Sequence, residues 1–347
     1  MTRPDKKRGG RIVLTMGLVF IAAQALASFL FDRVWPEVRF PFLHRRLAKL
    51  DDLPAQPDIV CLGSSRFGAC LLEREMTMAL REGTGEKDAF VFNASVPAGD
   101  LVASEHVLSC LLERGIRPRL LLIEISPEAL NRHNGWLDFH VERQIGWRDV
   151  PRFLPELARA GEIEHLCVCR LLPLYAFRKG FWNFLGQSAQ RLGGRALGAP
   201  SQGAEWSRAI GITPTLSAAE KAEKTRQGLE HAKKCLVDYE PGGLPVRALK
   251  RMLADCAGHG IHPVLLLVPV SSAQRALYDE RIEAALESEL REIHAAFDCP
   301  LFDCRSCLAD EQFYDNHHAS TEGGAAFSAW VMDRVVTPLW PTVPPRR

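Results

Sequence analysis

Near its N-terminus the chain carries an apolar stretch that limits how the protein can be placed in a cell. The stretch runs from Ile12 to Phe31, with three polar interruptions, Thr15, Gln24 and Ser28. This length suits one helix crossing a bilayer, and no later segment is long and apolar enough to cross. Residues 1–11 carry five basic side chains against one acidic one. By the positive-inside rule we expect a single-pass membrane protein with residues 1–11 in the cytoplasm, a transmembrane anchor at 12–31 and a periplasmic or extracellular body.

A cleaved signal peptide is the competing interpretation of the same stretch. Ala25-Leu26-Ala27 has the small-x-small form of a signal-peptidase site. The apolar run continues past that site through Phe29, Leu30 and Phe31, which favours a retained anchor. In either case the body is exported, into a compartment where disulfides persist.

Ten cysteines are scattered along the chain, and the sequence leaves their pairing open. The closest-spaced cluster is Cys299, Cys304 and Cys307. Zinc is disfavoured, because no second Cys-x-x-Cys or His-x-x-x-His lies at finger spacing. We predict no metal and no other cofactor.

Charge and composition restrict the class of protein. The chain has 43 Lys and Arg against 42 Asp and Glu, and 47% of its residues are hydrophobic. A chain of this kind buries a core rather than remaining disordered. Because basic residues are not in excess, the chain has no large net positive charge that would attract nucleic-acid phosphates, and we predict no nucleic-acid partner.

Short apolar segments alternate with helical ones after a proline-punctuated linker at 32–56. Strands are predicted at 58–62, 89–93, 119–125, 264–268 and 301–303. Helices are predicted between and after them, including one at 272–297 and one at 320–337. Continuously apolar strands alternating with helices predict a three-layer α/β/α domain with a parallel sheet, over 57–340. Residues 130–240 do not show this alternation of strands and helices. They are predicted to form a mostly helical insertion, either a lid or a solvated cover.

The carboxyl ends of parallel strands are where such sheets bind ligands. Gly63-Ser64-Ser65-Arg66 follows the first predicted strand. A serine at this turn can present its hydroxyl to solvent, while its backbone N–H, at the start of a helix, points at an oxyanion. The alternative role for serine here is a helix N-cap.

A second polar segment follows the last predicted strand. In it Asp315 and His318 are three residues apart, so on a tight turn the carboxylate can orient the imidazole. The alternative is a solvated loop in which Ser320 or Thr321 caps the last helix.

Together, three motifs resemble those of the SGNH (GDSL-like) hydrolase superfamily, and in particular its membrane-anchored, extracytoplasmic branch associated with polysaccharide O-acylation. The motifs are Gly63-Ser64-Ser65-Arg66, Asn93-Ala94-Ser95-Val96-Pro97-Ala98-Gly99, and the terminal Tyr314-Asp315-x-x-His318. The resemblance covers about 57–130 and 243–340. It implies a flavodoxin-like SGNH hydrolase fold and a serine esterase or O-acyltransferase acting on acylated cell-envelope or exported glycans.

The resemblance also implies roles for single residues. Ser65 takes the position of the nucleophile, His318 that of the general base and Asp315 that of its orienting carboxylate. The amide of Ser65 and that of Ala98 or Gly99 would form the oxyanion hole. The implied partners are the acylated glycan, a membrane-bound O-acyltransferase, and the lipid bilayer around 12–31.

Two departures from the family pattern matter. The third motif of the family supplies an Asn after the third strand, where this chain has Glu124-Ile125-Ser126-Pro127. Asn131 or Asn134 could substitute as oxyanion donor. The missing Asn also favours an alternative function, a catalytically inactive accessory protein that binds glycan or a membrane acyltransferase.

Two neighbouring residues leave alternatives open. His317 competes with His318 for the role of base, although the spacing from Asp315 favours His318. Arg66 either binds an anionic substrate or pairs with a carboxylate such as Glu124.

Overall fold

The computed structural model describes residues 6–51, 55–133, 146–147, 150–192 and 216–343. Asn134 and the Gly-rich stretch near 193–203 lie outside the described residues. The described strands are β1 (Ile59–Leu62), β2 (Val91–Asn93), β3 (Leu120–Ile125), β4 (His262–Leu267) and β5 (Leu301–Asp303). The described helices are α1 (Lys6–Arg33), α2 (Pro41–Asp51), α3 (Ser65–Cys70), α4 (Glu73–Thr84), α5 (Leu101–Glu113), α6 (Pro127–Leu130), α7 (Val150–Ala160), α8 (Ile163–Leu171), α9 (Pro173–Ala176), α10 (Arg178–Leu192), α11 (Ala218–Cys235), α12 (Gly243–His259), α13 (Ser272–Arg275), α14 (Glu280–Phe297), α15 (Thr321–Val331) and α16 (Thr337–Leu339).

The five strands form one parallel sheet in the order β2-β1-β3-β4-β5. Ile59 of β1 pairs with Val91 on one side and Leu120 on the other. Strand order reverses between β1 and β3, and the crevice beyond the carboxyl ends of these two strands is where an open parallel sheet binds ligands.

Helices cover both faces of the sheet, as the apolar strands predict. Ile59, Cys61, Leu120 and Leu122 point to one face and share a core with residues of α3, α4 and α15. On the other face α5 contacts β1 and β3, and α12 contacts β4. All six residues of β3 are buried, which explains why the strand has no polar alternation. The predicted α/β/α fold class is confirmed, and each predicted strand is present with ends within two residues of the prediction.

The helices differ from their predictions where local chemistry interrupts them. The segment predicted as a linker contains α2, whose first residue is Pro41, because proline fits the first turn of a helix and breaks only later turns. The helix predicted over 272–297 is split into α13 and α14, and Asp279 caps the second part by accepting a hydrogen bond from Ile282 N–H at 2.8 Å. The predicted last helix passes through a π-helical turn at Met332–Val336.

The chain divides into two compact units. The smaller unit comprises Met1–Arg45 and Leu137–Gly198, and the larger comprises Arg46–Trp136 and Ala199–Arg347. The sheet lies in the larger unit, whereas α1 and α7 to α10 lie in the smaller one. Residues 130–240, expected as one insertion, are therefore shared between the two units.

One helix of the smaller unit has the length and apolarity of a membrane span. It covers Gly9–Arg33, with a mean hydropathy of 2.1. No other described helix passes the same test of length and composition.

Candidate active site

The turn after β1 presents Ser65 at the first position of α3. Ser64 is the N-cap of this helix, and its hydroxyl accepts a hydrogen bond from Arg66 N–H. The capping role that serine commonly plays here is therefore filled by Ser64, and the Ser65 side chain points elsewhere. Within the part of the chain that the structure describes, the backbone N–H of Ser65 donates no hydrogen bond.

The loop before α15 presents His318. Tyr314 N–H donates to the carbonyl of His318 at 2.8 Å, which closes a tight turn around Asp315. Both oxygens of Asp315 are occupied: Oδ1 accepts from the backbone N–H groups of His317 and His318, and Oδ2 lies 2.7 Å from Nδ1 of His318. Ser320 caps α15 by accepting from Gly323 N–H, as one sequence alternative anticipated.

The two loops meet at the carboxyl edge of the sheet. Ser65 Oγ lies 2.9 Å from Nε2 of His318, so the hydroxyl can donate to the imidazole while Nδ1–H donates to Asp315. The structure thus brings Ser65, His318 and Asp315 into one hydrogen-bonded series. The serine and the histidine are half-buried and the carboxylate is buried.

Electrostatics keep the carboxylate of this series charged. Burial alone would raise the pKa of Asp315, but the hydrogen bond and charge of His318 and the N–H of His317 outweigh it and lower that pKa below its usual range. A carboxylate that remains ionised holds the imidazole with Nδ1 protonated and leaves Nε2 free to accept a proton.

The imidazole of His317 lies beside this series but takes no part in it. Its ring centroid is 4.2 Å from that of His318, and its buried Nδ1 has no hydrogen-bond partner among the described residues. Burial and the neighbouring His318 hold its pKa well below the usual value for histidine. Ser65 therefore contacts His318, the histidine that the spacing favours, and not His317.

The segment after β2 lies alongside the turn that carries Ser65. Val96 N–H donates to the carbonyl of Gly63 at 3.0 Å, and a Cβ at Gly99 would lie 2.8 Å from that same oxygen. Ala98 has a left-handed backbone, with φ of 52°. The N–H of Gly99 donates to the carbonyl of Val96 at 2.9 Å. The structure places both predicted oxyanion residues next to the turn, but the Gly99 amide is already hydrogen-bonded in this conformation.

Glu124 lies near the carboxyl end of β3, and its carboxylate binds the turn that carries Ser65. Oε2 accepts from Ser64 N–H at 2.6 Å, and Oε1 accepts from the Ser64 hydroxyl at 2.8 Å. A Cβ at Gly63 would lie 2.6 Å from the Glu124 Cβ, so only glycine leaves room for this side chain. Glu124 therefore fixes the turn that carries Ser65.

Arg66 points into the protein rather than toward a ligand. Its guanidinium lies 3.8 Å from Glu124 and 3.5 Å from Glu128, and its side chain is 15% exposed. Burial lowers the pKa of Arg66, and Glu128 and Glu124 more than reverse this, so the net shift is upward. Of the two roles that the sequence leaves open for Arg66, the structure shows the ion pair, because both neighbouring carboxylates are buried and need a cation.

A buried polar chain continues from Glu128 to the histidine loop. Glu128 Oε1 accepts from Gln274 Nε2 at 2.8 Å and from the Tyr278 hydroxyl at 2.9 Å. Gln274 in turn accepts from the amide of Asn316, which adjoins Asp315. Hydrogen bonds and the Arg66 ion pairs thus connect the Ser65–His318 pair to side chains of β3, α6, α13 and the last loop.

Asn131 does not supply an oxyanion donor. Its Nδ2 donates to the carbonyls of Cys235, at 2.8 Å, and Val237, and its Oδ1 accepts from Glu240 N–H. The side chain is completely buried. The prediction for Asn131 is wrong, because its amide N–H groups are hydrogen-bonded to carbonyls at the end of α11. The other candidate, Asn134, lies outside the described residues.

Comparisons with known proteins add similarities of shape only. No protein-family model and no curated protein sequence matches this chain. It is similar to a lipase/acylhydrolase from Enterococcus faecalis, at 12% identity and a TM-score of 0.39, over 84% of this chain and 100% of that one. It is also similar to a carbohydrate acetylesterase family member from Sinorhizobium meliloti, at 12% identity and a TM-score of 0.35, over 82% of this chain and 100% of that one.

Metal-ligating side chains come together at one place in the described residues, Asp315, His317 and His318. The hydrogen bond from His318 to Asp315 already accounts for two of the three. All ten cysteines are free thiols, and Cys61, Cys70, Cys169, Cys256, Cys299 and Cys304 are buried.

Sequence reasoning missed most of the supporting residues. Glu124 carried a usable signal, since a lone carboxylate in the apolar strand Leu120–Ile125 needs a partner to be buried. Gln274 and Asn316 carried none, because their partners lie 146 and 42 positions away along the chain.

Proposed function

We propose that this protein is a serine esterase or O-acyltransferase of the SGNH type. The observation that carries the proposal is the series Ser65 Oγ, His318 and Asp315, with separations of 2.9 and 2.7 Å. A serine hydroxyl is a weak nucleophile until a base contacts it, and the base needs a third group to fix its tautomer. Ser65, His318 and Asp315 are proposed to fill these three roles.

The proposed reaction begins with attack of Ser65 Oγ on the carbonyl carbon of an ester. As the new C–O bond forms, the hydroxyl proton passes to Nε2 of His318, and Asp315 stabilises the imidazolium. The tetrahedral intermediate then expels the alcohol, which takes the proton from His318. Water or a sugar hydroxyl resolves the acyl-serine by the same steps in reverse, giving an esterase or a transferase.

The oxyanion of the intermediate needs preorganised donors. We propose the Ser65 backbone N–H as the first, since α3 begins there and the positive end of the helix dipole faces the site. The amide of Ala98 or Gly99 is proposed as the second. For Gly99 this requires its N–H to leave the Val96 carbonyl when substrate binds.

The first test is hydrolysis of p-nitrophenyl acetate by the full chain in detergent micelles. We expect Ser65→Ala and His318→Ala each to lower kcat by at least about 10³-fold. The exposed residues Ser306 and His259 give matched controls, Ser306→Ala and His259→Ala, which are expected to keep wild-type rates. Equal activity in all five proteins would refute the proposal.

One observation favours a second function, a catalytically inactive accessory protein. The Gly99 amide is occupied and Asn131 is committed elsewhere, so two of the candidate oxyanion donors are already hydrogen-bonded to other groups. Such a protein would bind glycan or a membrane-bound O-acyltransferase. A serine-reactive phosphonate separates the two: labelling of wild type but not of Ser65→Ala supports catalysis, whereas no labelling of folded wild type supports binding.

Location and substrate are part of the proposal. The apolar helix at 12–31 is proposed to anchor the protein, with its N-terminus cytoplasmic and the sheet domain periplasmic or extracellular. An anchored domain stays close to membrane-tethered and exported polymers, so an acylated envelope glycan is the proposed substrate. No nucleic-acid partner and no cofactor are proposed.

A further inference from the structure

One face of the last two turns of α1 is covered by protein, whereas the earlier turns are exposed as far as the structure describes them. Ile12, Leu18 and Ile21 are 54%, 59% and 64% exposed. Four later residues on one face are at most 8% exposed, with the spacing i, i+3, i+4, i+7 typical of a helix packing face: Gln24, Ala27, Ser28 and Phe31.

The covering residues come from α8, α9 and α10 of the same unit. The ring of Phe31 meets those of Phe177 and Phe181, at centroid distances of 6.2 and 5.6 Å. Cys169 and Val38 complete this small core. The apolar end of α1 is therefore part of a folded helical unit.

The contact begins well inside the apolar stretch. Leu174 N–H donates to Oε1 of Gln24 at 3.2 Å. Gln24 precedes Phe31 by seven residues, or about 10 Å of helix, in a stretch whose 20 residues span about 30 Å, the thickness of the hydrocarbon core. If Ile12 to Phe31 crosses a bilayer, Leu174 lies about a third of the way into it.

Two polar interruptions of the stretch fit this position. A polar side chain within hydrocarbon is costly unless it has a partner. Gln24 gains the Leu174 N–H. The Ser28 hydroxyl has no hydrogen-bond partner among the described residues, but it lies on the same buried face, away from lipid.

The covering helices carry large apolar residues on their exposed surface. We define the platform face as four exposed residues: Leu171 at 58%, Tyr175 at 61%, Trp182 at 70% and Leu185 at 37%. Trp182 and Leu185 are three residues apart in α10 and share a side of that helix. The larger unit exposes only Met78, Val237 and Leu301 among its described large apolar residues. Apolar exposure in the described chain is therefore concentrated on the unit that contains α1.

The residue types and the charges around the platform face suit a lipid interface. Tyrosine and tryptophan concentrate at the level of the headgroups. Arg178 and Lys179 are exposed between Tyr175 and Trp182, and the Arg178 guanidinium lies 4.5 Å from the Tyr175 ring centroid. Basic side chains at this level can reach anionic headgroups while their stems stay in the apolar layer.

We propose that α8, α9 and α10 form a platform partly submerged in the leaflet on the exported side, with the platform face in contact with phospholipid. This rests on the anchoring of 12–31 that is part of the proposed function. The protein then holds the bilayer by one spanning helix and by an interfacial unit packed against that helix.

Photocrosslinking tests the platform directly. The full chain is placed in nanodiscs whose phosphatidylcholine carries a diazirine in its acyl chain, and lipid adducts are mapped by mass spectrometry. We expect adducts on α1 and on peptides covering the platform face, and none on peptides with Met78, Val237 or Leu301. Adducts on α1 alone would overturn the platform and leave the anchor standing, whereas adducts on neither would overturn both.

Fluorescence gives a second readout with a matched pair of variants. Brominated phospholipids quench tryptophan that reaches the acyl region. Trp182→Phe is expected to lose part of the quenchable emission, whereas Trp330→Phe, in α15 of the larger unit, is expected to keep all of it. Equal quenching in both variants would refute the platform. Crosslinks from the platform face to another polypeptide in native membranes, without lipid adducts in nanodiscs, would instead indicate a protein partner.

Discussion

At the scale of single residues, Asp315 decides whether His318 can act as a base. Both carboxylate oxygens are used, one by two backbone N–H groups and one by the imidazole. Asp315→Asn keeps the shape but allows the amide to face Nδ1 with its NH₂ group, which favours the wrong imidazole tautomer. We expect kcat for p-nitrophenyl acetate to fall by about 10³–10⁴-fold with little change in KM. Activity within tenfold of wild type would show that Asp315 does not orient the base.

His317 makes stability depend on pH. Its pKa is lowered in the folded protein by burial and by His318, with smaller effects of Arg66 and His231, while Asp315 acts in the opposite direction. Below the ordinary histidine pKa of about 6.5 the unfolded chain binds a proton that the folded protein does not. The free energy of unfolding should therefore fall as the pH is lowered from 7.5 to 5.5.

Urea unfolding at several pH values checks this expectation. His317→Phe should flatten the dependence between pH 7.5 and 5.5, because a non-titrating ring replaces the histidine. The exposed His259 provides the control His259→Phe, which should keep the wild-type slope. Parallel curves for wild type and His317→Phe would contradict the assignment.

The residues of the site divide into those that sequence can reveal and those that it cannot. Ser65 follows a recognisable strand, and Asp315 and His318 are close together in sequence. Short sequence motifs are therefore enough to identify these three residues. Glu124 and Glu128 lie about 60 positions from Arg66 along the chain. The sequence left a pairing of Arg66 with Glu124 open beside a substrate-binding role, because the burial of these carboxylates depends on the fold.

At the scale of secondary-structure elements, α11 depends on a glycine for its packing. A Cβ at Gly228 would lie 2.7 Å from Cγ of Asn316, whose amide is completely buried beside Asp315. Gly228→Ala should push α11 away or displace Asn316, at a cost of about 1–3 kcal/mol in the free energy of unfolding. We expect a lower thermal midpoint together with reduced esterase activity.

Gly83 provides the control for this substitution. It lies in α4, where a Cβ would meet no neighbouring residue within 4 Å. Gly83→Ala should stabilise the protein by up to about 1 kcal/mol, because alanine has the higher helix propensity. A thermal midpoint that moves in the same direction in both variants would contradict the packing explanation.

Helices and strands with a clear apolar pattern or a capping residue were predictable from the sequence, whereas breaks within a helix were not. Two short segments of similar sequence, Gly115-Ile116-Arg117-Pro118 and Gly260-Ile261-His262-Pro263, follow α5 and α12, and in each the glycine is left-handed, as is typical of a glycine that ends a helix. The split between α13 and α14 was missed, because Ala276 and Leu277 continue an apolar helical pattern while Asp279 begins a new helix.

At the scale of the whole molecule, the sequence suggests separate parts that the structure groups differently. An anchor, a linker and an insertion were predicted as successive segments. Residues 1–45 and 137–198 instead form one compact unit with its own core. The polar face of α1 at Gln24 and Ser28 was the available clue, but nothing in the sequence identifies the distant helices that cover it.

The end of α1 also holds a buried ion cluster within this unit. Asp32 lies 2.7 Å from Arg39 and 3.0 Å from Arg170, and the two arginines are only 5% and 3% exposed. Asp32→Asn leaves two buried guanidinium groups without an anion. We expect a loss of up to about 3 kcal/mol, near the lower end for breaking a buried pair, because the Asp32 side chain itself is 25% exposed.

Hydrogen exchange on the full chain in nanodiscs locates the effect of this change. Amides of α8 to α10 should exchange faster in Asp32→Asn, while those of β1 and β3, which belong to a different core, should keep wild-type protection. Asp333→Asn removes an exposed pair with Arg334, for which we expect about 0.5 kcal/mol or less and no change in α8 to α10. Uniformly faster exchange in Asp32→Asn would show that the two cores unfold together. Unchanged exchange in α8 to α10 would show that the cluster does not hold the covering helices on α1.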